Sequence, residues 1–137
     1  MADTTKLEIV TPEALTYSED VDMVTLPTIE GQMGILPHHI RLMTQLVPGE
    51  MTIRKRGGVV YIAVGEGLIE VTGSSISVIT TMAIDSDKID EAAVEEARQR
   101  AAARLREKLS SEEIASVNAS LARSLAQLRV KRRHYRS

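Results

Sequence analysis

The chain of 137 residues has no cysteine, tryptophan or phenylalanine. Without cysteine there can be no disulfide, no thiolate metal site and no thiol nucleophile. Its aromatic residues are Tyr17, Tyr61 and Tyr135. That supply is too small for a base-stacking nucleic-acid platform. The core must therefore come from Val, Ile, Leu, Met and Ala. Long apolar runs are missing too. The longest uncharged stretch, Val71–Ile84, has 14 residues and is rich in Ser and Thr, too short and too polar to span a bilayer. The acidic segment Met1–Glu30 lacks the apolar region of a signal peptide. Membrane association is expected only through a partner.

Glycine and proline are missing from the second half. All 8 Gly lie between Gly31 and Gly73, and all 4 Pro between Pro12 and Pro48. Charge divides at the same place. Residues 1–86 hold 5 basic and 11 acidic residues, whereas residues 87–137 hold 12 basic and 8 acidic. Two units follow, residues 1–86 and residues 87–137.

What is present in the first unit is a series of short, often β-branched runs: Lys6–Val10, Asp22–Leu26, Met51–Lys55, Val59–Val64, Leu68–Val71 and Ile76–Thr80. Alternation of apolar residues, as at Met51 and Ile53, buries one face of a strand and wets the other. Turn residues separate the runs at Pro48-Gly49, Gly57-Gly58, Gly65 and Gly73. Short strands at this spacing predict a β-sandwich.

The second unit predicts two helices. Asp90–Leu109 places Val94, Ala97, Ala101 and Leu105 on one face, and Ser111–Arg133 does the same with Ile114, Val117, Leu121, Leu125 and Leu128. Between them, Ser110 and Glu113 have the spacing of a capping box. The fold class is thus α+β (segregated): a β-sandwich followed by an antiparallel two-helix hairpin. The first helix leans on alanine, which buries little area per residue. Such a pair either exchanges its own partner for another protein's groove or stays closed and passive. Laid end to end, about 45 helical residues reach roughly 65 Å.

No catalytic set emerges. His38 and His39 are adjacent and in extended chain point opposite ways, so they read as structural or interface histidines. Asp85, Asp87 and Glu96 match a calcium loop only at scattered positions, and Ile89 and Asp90 break it. Gly65-Glu-Gly67 lacks the third glycine and the helix of a dinucleotide fingerprint. The sequence calls for no metal and no cofactor. The basic run Arg129–Arg136 suits an acidic protein surface, a helix C-terminus or nucleic acid.

Several motifs carry a resemblance: Leu7-Glu-Ile-Val-Thr-Pro-Glu13, Val21-Asp-Met-Val-Thr-Leu-Pro27, Glu30-Gly-Gln-Met-Gly-Ile-Leu-Pro-His-His39, Ile62-Ala-Val-Gly-Glu-Gly-Leu-Ile-Glu-Val71 and Leu125-Ala-Gln-Leu-Arg-Val130. In this order they resemble the epsilon chain of F-type ATP synthases, from about residue 6 to residue 130. The resemblance implies a non-catalytic rotor subunit of the central stalk, peripheral on the cytoplasmic face of the bacterial inner membrane. Its sandwich would bind the gamma subunit and the c ring through Glu30, Gly31, Gln32, Met33, Pro37 and His39. Gln32 stands where some members carry an acid facing the ring. The hairpin would inhibit ATP hydrolysis by reaching the alpha/beta hexamer, with Arg123, Arg129, Lys131, Arg132 and Arg133 meeting beta.

Some members of that family bind ATP on the hairpin. The positions matching that site here are Ile89, Asp90, Arg100 and Arg123, with Ala93 and Gln127 in place of two arginines. Each missing cation removes charge-assisted hydrogen bonds worth ~1.5–3 kcal/mol, so weak or no ATP binding is expected. Calorimetric titration of the isolated chain tests this, and micromolar affinity refutes it. The competing functional reading is a β-sandwich adaptor whose basic hairpin binds nucleic acid.

Overall fold

The computed structural model describes residues 3–134. Ten strands precede two helices: β1 (Thr5–Val10), β2 (Leu15–Val21), β3 (Met23–Thr28), β4 (Gly31–Ile35), β5 (Leu42–Leu46), β6 (Gly49–Lys55), β7 (Gly58–Val64), β8 (Gly67–Val71), β9 (Ser75–Thr80), β10 (Ala83–Asp85), α1 (Glu91–Arg104) and α2 (Ser111–His134). A 3₁₀ turn, Ser86–Lys88, joins the two parts. Tyr135 and Arg136, the end of the basic run, lie outside the described residues.

The six expected strands are present, and four more join them. Strand β2 is mostly exposed and ends in an acidic stretch, so it shows no clean alternation. Strand β4 contains Gly31 and Gly34, and β10 is three residues long. These strands owe their form to pairing partners rather than to their own composition.

The strands pair in the order β10-β7-β6-β3-β5-β8-β9-β1-β2, with β4 added to β3. All pairs are antiparallel except β1 with β9. Alternate residues converge on one core, among them Leu7 and Ile9, Val24 and Leu26, Met51 and Ile53, Ile62 and Val64, Ile69 and Val71, Ile76 and Val78. Each such side chain stabilises the fold by ~1.5–3 kcal/mol relative to exposure. The sheet closes over this core as a sandwich. One residue out of step, Glu50, Thr52, Tyr61 and Ala63 lie on the outer face of β6 and β7, in register Glu50 with Ala63 and Thr52 with Tyr61. That face receives the hairpin.

Helix α1 starts where the sequence placed it. The Asp90 carboxylate caps it by accepting the Ala93 N–H at 3.2 Å. It ends at Arg104, earlier than the expected Leu109. Its last turn tightens, with the Arg106 N–H donating to the Ala103 carbonyl and the Glu107 N–H to the Arg104 carbonyl, both at 3.1 Å. Residues 105–110 are needed to reverse the chain, and no Gly or Pro marks the stop.

Helix α2 buries Val117, Ser124, Ala126, Leu128 and Val130. Ile114 and Leu125 of the expected stripe are exposed, Leu125 at 41 %. The departure has a geometric cause. α2 touches α1 on one side and, on another, the outer face of β6 and β7 with the 3₁₀ turn, so its buried surface is split rather than a single stripe.

Candidate functional site: the hairpin–sandwich contact

Arg123, Gln127, Val130 and His134 recur at spacings of four, three and four along α2, which places them on one side of the helix. That side lies on the sandwich. Its apolar centre is small: Val130 with Ala63 and Ile89, bordered by Tyr61, Met82, Ile84 and Val94. This cluster is separate from the sandwich core.

Polar contacts surround it. The Arg123 guanidinium donates to Glu66 at 3.1 Å, and Glu66 also accepts from the Thr81 hydroxyl at 2.8 Å. The Gln127 amide donates to the Met82 sulfur at 3.2 Å. The Lys131 ammonium donates to the Ser86 carbonyl at 3.1 Å. At the end of α2, Glu50 receives Arg133 at 3.0 Å on one oxygen and His134 on the other. The His134 ring stacks on Tyr61, with centroids 3.6 Å apart and planes 13° from parallel.

Glu66 sits between Gly65 and Gly67 at the β7–β8 turn. Burial opposes its charge, but its own backbone N–H, the Thr81 hydroxyl and Arg123 outweigh burial and hold the carboxyl below its usual value. At Gly65 a Cβ would stand 2.3 Å from the Thr81 hydroxyl oxygen and 3.2 Å from the Arg123 side chain, so a larger residue there would push both side chains aside.

The helices hold each other with a second set of charges. The Arg132 Nε donates to Glu91 at 2.6 Å and its Nη2 lies 3.7 Å from Glu95. Arg104 approaches Glu113 across the helices at 3.5 Å, and within α1 Arg98 donates to Glu95 at 2.6 Å. Of the five cations expected to meet beta, Arg123, Arg132 and Arg133 thus have carboxylates within the chain, and Lys131 has a carbonyl. Arg129 is exposed beside Arg98 and Leu125.

The residues expected to match a nucleotide site are not gathered. Ile89 is buried in the apolar cluster, Asp90 caps α1 and Arg123 is paired with Glu66. Arg100 lines a groove between the helices with Ala97, Ala101, Arg104, Ser116, Val117 and Ser120.

The residues expected to meet gamma and the c ring fall into two groups. Glu30, Gly31 and Gln32 form the exposed tip of the β3–β4 hairpin. Gly31 adopts φ 111°, a left-handed conformation that favours glycine. Thr28 fastens the tip, its hydroxyl donating to the Gly31 carbonyl at 2.7 Å and accepting the Glu30 N–H at 3.2 Å. Met33 packs against the sandwich core. Pro37 and His39 follow the opposite end of β4, about 13 Å away at the usual strand rise. Exposed Ile29 lies at the first group, and exposed Leu36 and Ile40 at the second. The two histidines have different partners: His38 lies 3.3 Å from Asp3, and the His39 ring nitrogen meets the Ile40 carbonyl at 2.8 Å. Among the described residues no group of three His, Asp or Glu is placed to hold a metal.

Sequence reasoning missed Glu50, Glu66, Tyr61 and His134 as contact residues. Only Glu66 carried a signal, as a lone acid between two glycines. Glu50 and Tyr61 become partners of His134 only through the β6–β7 register.

Two family descriptions match the chain. Residues 4–86 match the beta-sandwich domain of the ATP synthase delta/epsilon chain, and residues 87–132 match its long alpha-helix domain. The ATP synthase epsilon chain of Herpetosiphon aurantiacus is 39 % identical over 125 residues, covering 91 % of this chain and 92 % of that one. That of Chloroflexus aggregans is 43 % identical over 128 residues, covering 93 % and 92 %. Among solved structures, a chain in the Euglena gracilis mitochondrial ATP synthase (OSCP/F1/c-ring, rotational state 1) aligns with TM-score 0.71 at 21 % identity, over 87 % of this chain and 76 % of that chain. A chain in the central stalk and c ring of Tetrahymena thermophila mitochondrial ATP synthase aligns with TM-score 0.66 at 13 % identity, over 94 % and 97 %. At those identities the structural likeness shows a shared fold.

Proposed function

The chain belongs to the delta/epsilon-chain family of F-type ATP synthases, and from that membership we propose that it is a rotor subunit whose sandwich grips the turning stalk and whose hairpin brakes ATP hydrolysis. As a subunit it is non-catalytic, serving ATP synthesis and ion transport within a membrane-associated complex. No helix among the described residues is long and apolar enough to cross a membrane. On the family reading, attachment to the membrane runs through the complex, on the cytoplasmic face of a bacterial inner membrane. The exposed tip Glu30–Gln32 and the loop around Pro37 and His39 are the surfaces for the c ring and gamma.

One observation carries the brake reading: the hairpin covers the sandwich through a cluster separate from the sandwich core. The three buried residues Val130, Ala63 and Ile89 and a ring of polar contacts hold it there. Lifting α2 would leave the sandwich intact. The cations it released from the sandwich side, Arg123, Lys131 and Arg133, would then be available to acidic residues on beta, with Arg129 alongside them, and Arg132 would join them once the two helices also part. A ligand or partner shifts such an equilibrium only by preferring one state.

The test is removal of everything after Ser110 in the reconstituted enzyme. ATP hydrolysis should rise while the subunits still assemble. Unchanged hydrolysis discards the brake, and failed assembly discards the division of labour between sandwich and hairpin. The nucleic-acid adaptor reading has no supporting observation, whereas both parts of the chain match ATP synthase delta/epsilon domains.

A further inference from the structure

We propose that His134 makes docking of the hairpin proton-sensitive: the charged imidazole locks the end of α2 onto Glu50 and Tyr61, and loss of its proton loosens that end. The proposal rests on the reading of a hairpin able to leave the sandwich.

The geometry is specific. Glu50 from β6 and Tyr61 from β7 are brought to one outer face by the strand register. His134, in the last turn of α2, stacks on the Tyr61 ring and pairs with one Glu50 oxygen. The two side chains are nearly enclosed, Glu50 12 % and His134 13 % exposed. Arg133 holds the other Glu50 oxygen at 3.0 Å but is itself 70 % exposed. Across the adjoining cleft stand Asp85 of β10 and Asp87 of the 3₁₀ turn, with Lys131 from α2.

In this setting the protonated ring gains twice. It makes a charge-assisted hydrogen bond to an enclosed carboxylate and lays a cation over an aromatic face. The neutral ring keeps the stacking and loses the charge, leaving Glu50 with the water-exposed Arg133 as its cationic partner. An enclosed carboxylate that loses a cationic partner is strongly penalised, and the undocked state relieves that penalty by hydrating it. Histidine is the side chain that changes charge between about pH 5 and 8, whereas carboxylates and guanidinium groups in general keep theirs. The charged ring therefore favours the docked state more than the neutral ring does. By linkage, raising the pH moves the chain toward the undocked state.

The full chain allows a direct test, because it has no native cysteine to interfere with labelling. Dyes are placed on two exposed positions, Glu70→Cys on β8 and Glu112→Cys at the start of α2, and energy transfer reports docking. Between pH 6 and 8 the ratio of undocked to docked chains should rise roughly three- to tenfold. His134→Gln, His134→Lys and Glu50→Gln should each flatten that dependence, with His134→Lys remaining docked. Glu66→Gln should weaken docking by the same factor at every pH in this range and leave the slope unchanged. Far-ultraviolet circular dichroism checks that each variant keeps its helices. A flat wild-type response, or a slope that survives in His134→Gln or Glu50→Gln, overturns the proton lock. If Glu50→Gln combined with Glu66→Gln in high salt still leaves energy transfer unchanged at every pH, the hairpin does not leave, and the brake reading falls with it.

Discussion

Glu66 ties the sandwich to the hairpin through one residue, Arg123. Gly65 lets the turn pass close under α2, Gly67 lets it lie against the backbone of β9, and Arg123 closes over Glu66 at 3.1 Å. Partly exposed ion pairs contribute modestly, so Glu66→Gln should destabilise docking by about 0.2–1 kcal/mol, read as a rise in the undocked fraction. The pH dependence has a definite sign. The folded carboxyl titrates below its unfolded value, so its contribution is present above that unfolded value. It is lost as pH falls through the lowered one. Wild type and Glu66→Gln should therefore differ at neutral pH and converge in acid. A constant gap down to the lowest pH at which the chain stays folded would show that charge is not the cause. Little of this was legible from residues alone. Gly65-Glu-Gly67 was visible in the chain, but Arg123 lies 57 residues away. Only the tertiary arrangement selects Glu66 as its partner.

At the scale of elements, the second helix was readable because it declares its own start. The Ser110 hydroxyl accepts the Glu113 N–H at 3.1 Å, and the Glu113 carboxylate accepts the Ser110 N–H at 3.1 Å. These Ser110 contacts hold the Glu113 carboxyl below its usual value, and Arg104 adds to them. Ser110→Ala should cost about 1 kcal/mol of α2 stability. The loss should appear as reduced helical signal on heating, with the sandwich transition unmoved. A sandwich transition that falls in parallel would mean that the two parts melt as one unit. Helix α1 was less legible at its far end, since its stop depends on the reversal toward α2 rather than on a breaker. The strands divided the same way. Met51–Lys55 and Ile76–Thr80 alternate because each has one face in the core. The edge strand β2 turns Tyr17 and Val21 to the core and β4 turns Met33 and Ile35, but the exposed polar residues of β2 and the glycines of β4 blur that alternation in the sequence.

At the scale of the whole molecule, the asymmetry of charge is what the sequence displayed most openly, and the structure gives it a use. The acidic first unit and the basic second unit meet through Glu66 with Arg123 and Glu50 with Arg133 and His134. The same cations would answer an acidic surface elsewhere, so docking and braking compete for one set of charges. Salt acts on these contacts unequally. The screening length is ~10 Å at 0.1 M and ~3 Å at 1 M. Exposed Arg133 and half-exposed Arg123 therefore weaken first, while the apolar cluster of Val130, Ala63 and Ile89 does not depend on ionic strength in that way. Raising salt from 0.05 to 0.5 M should increase the undocked fraction of the isolated chain, measured by the same energy transfer. In the assembled enzyme the same salt should also weaken inhibition, because the extended hairpin relies on the same charges. Docking that is indifferent to salt would assign the contact to the apolar cluster alone. Inhibition that strengthens with salt would mean that the brake does not act through these cations.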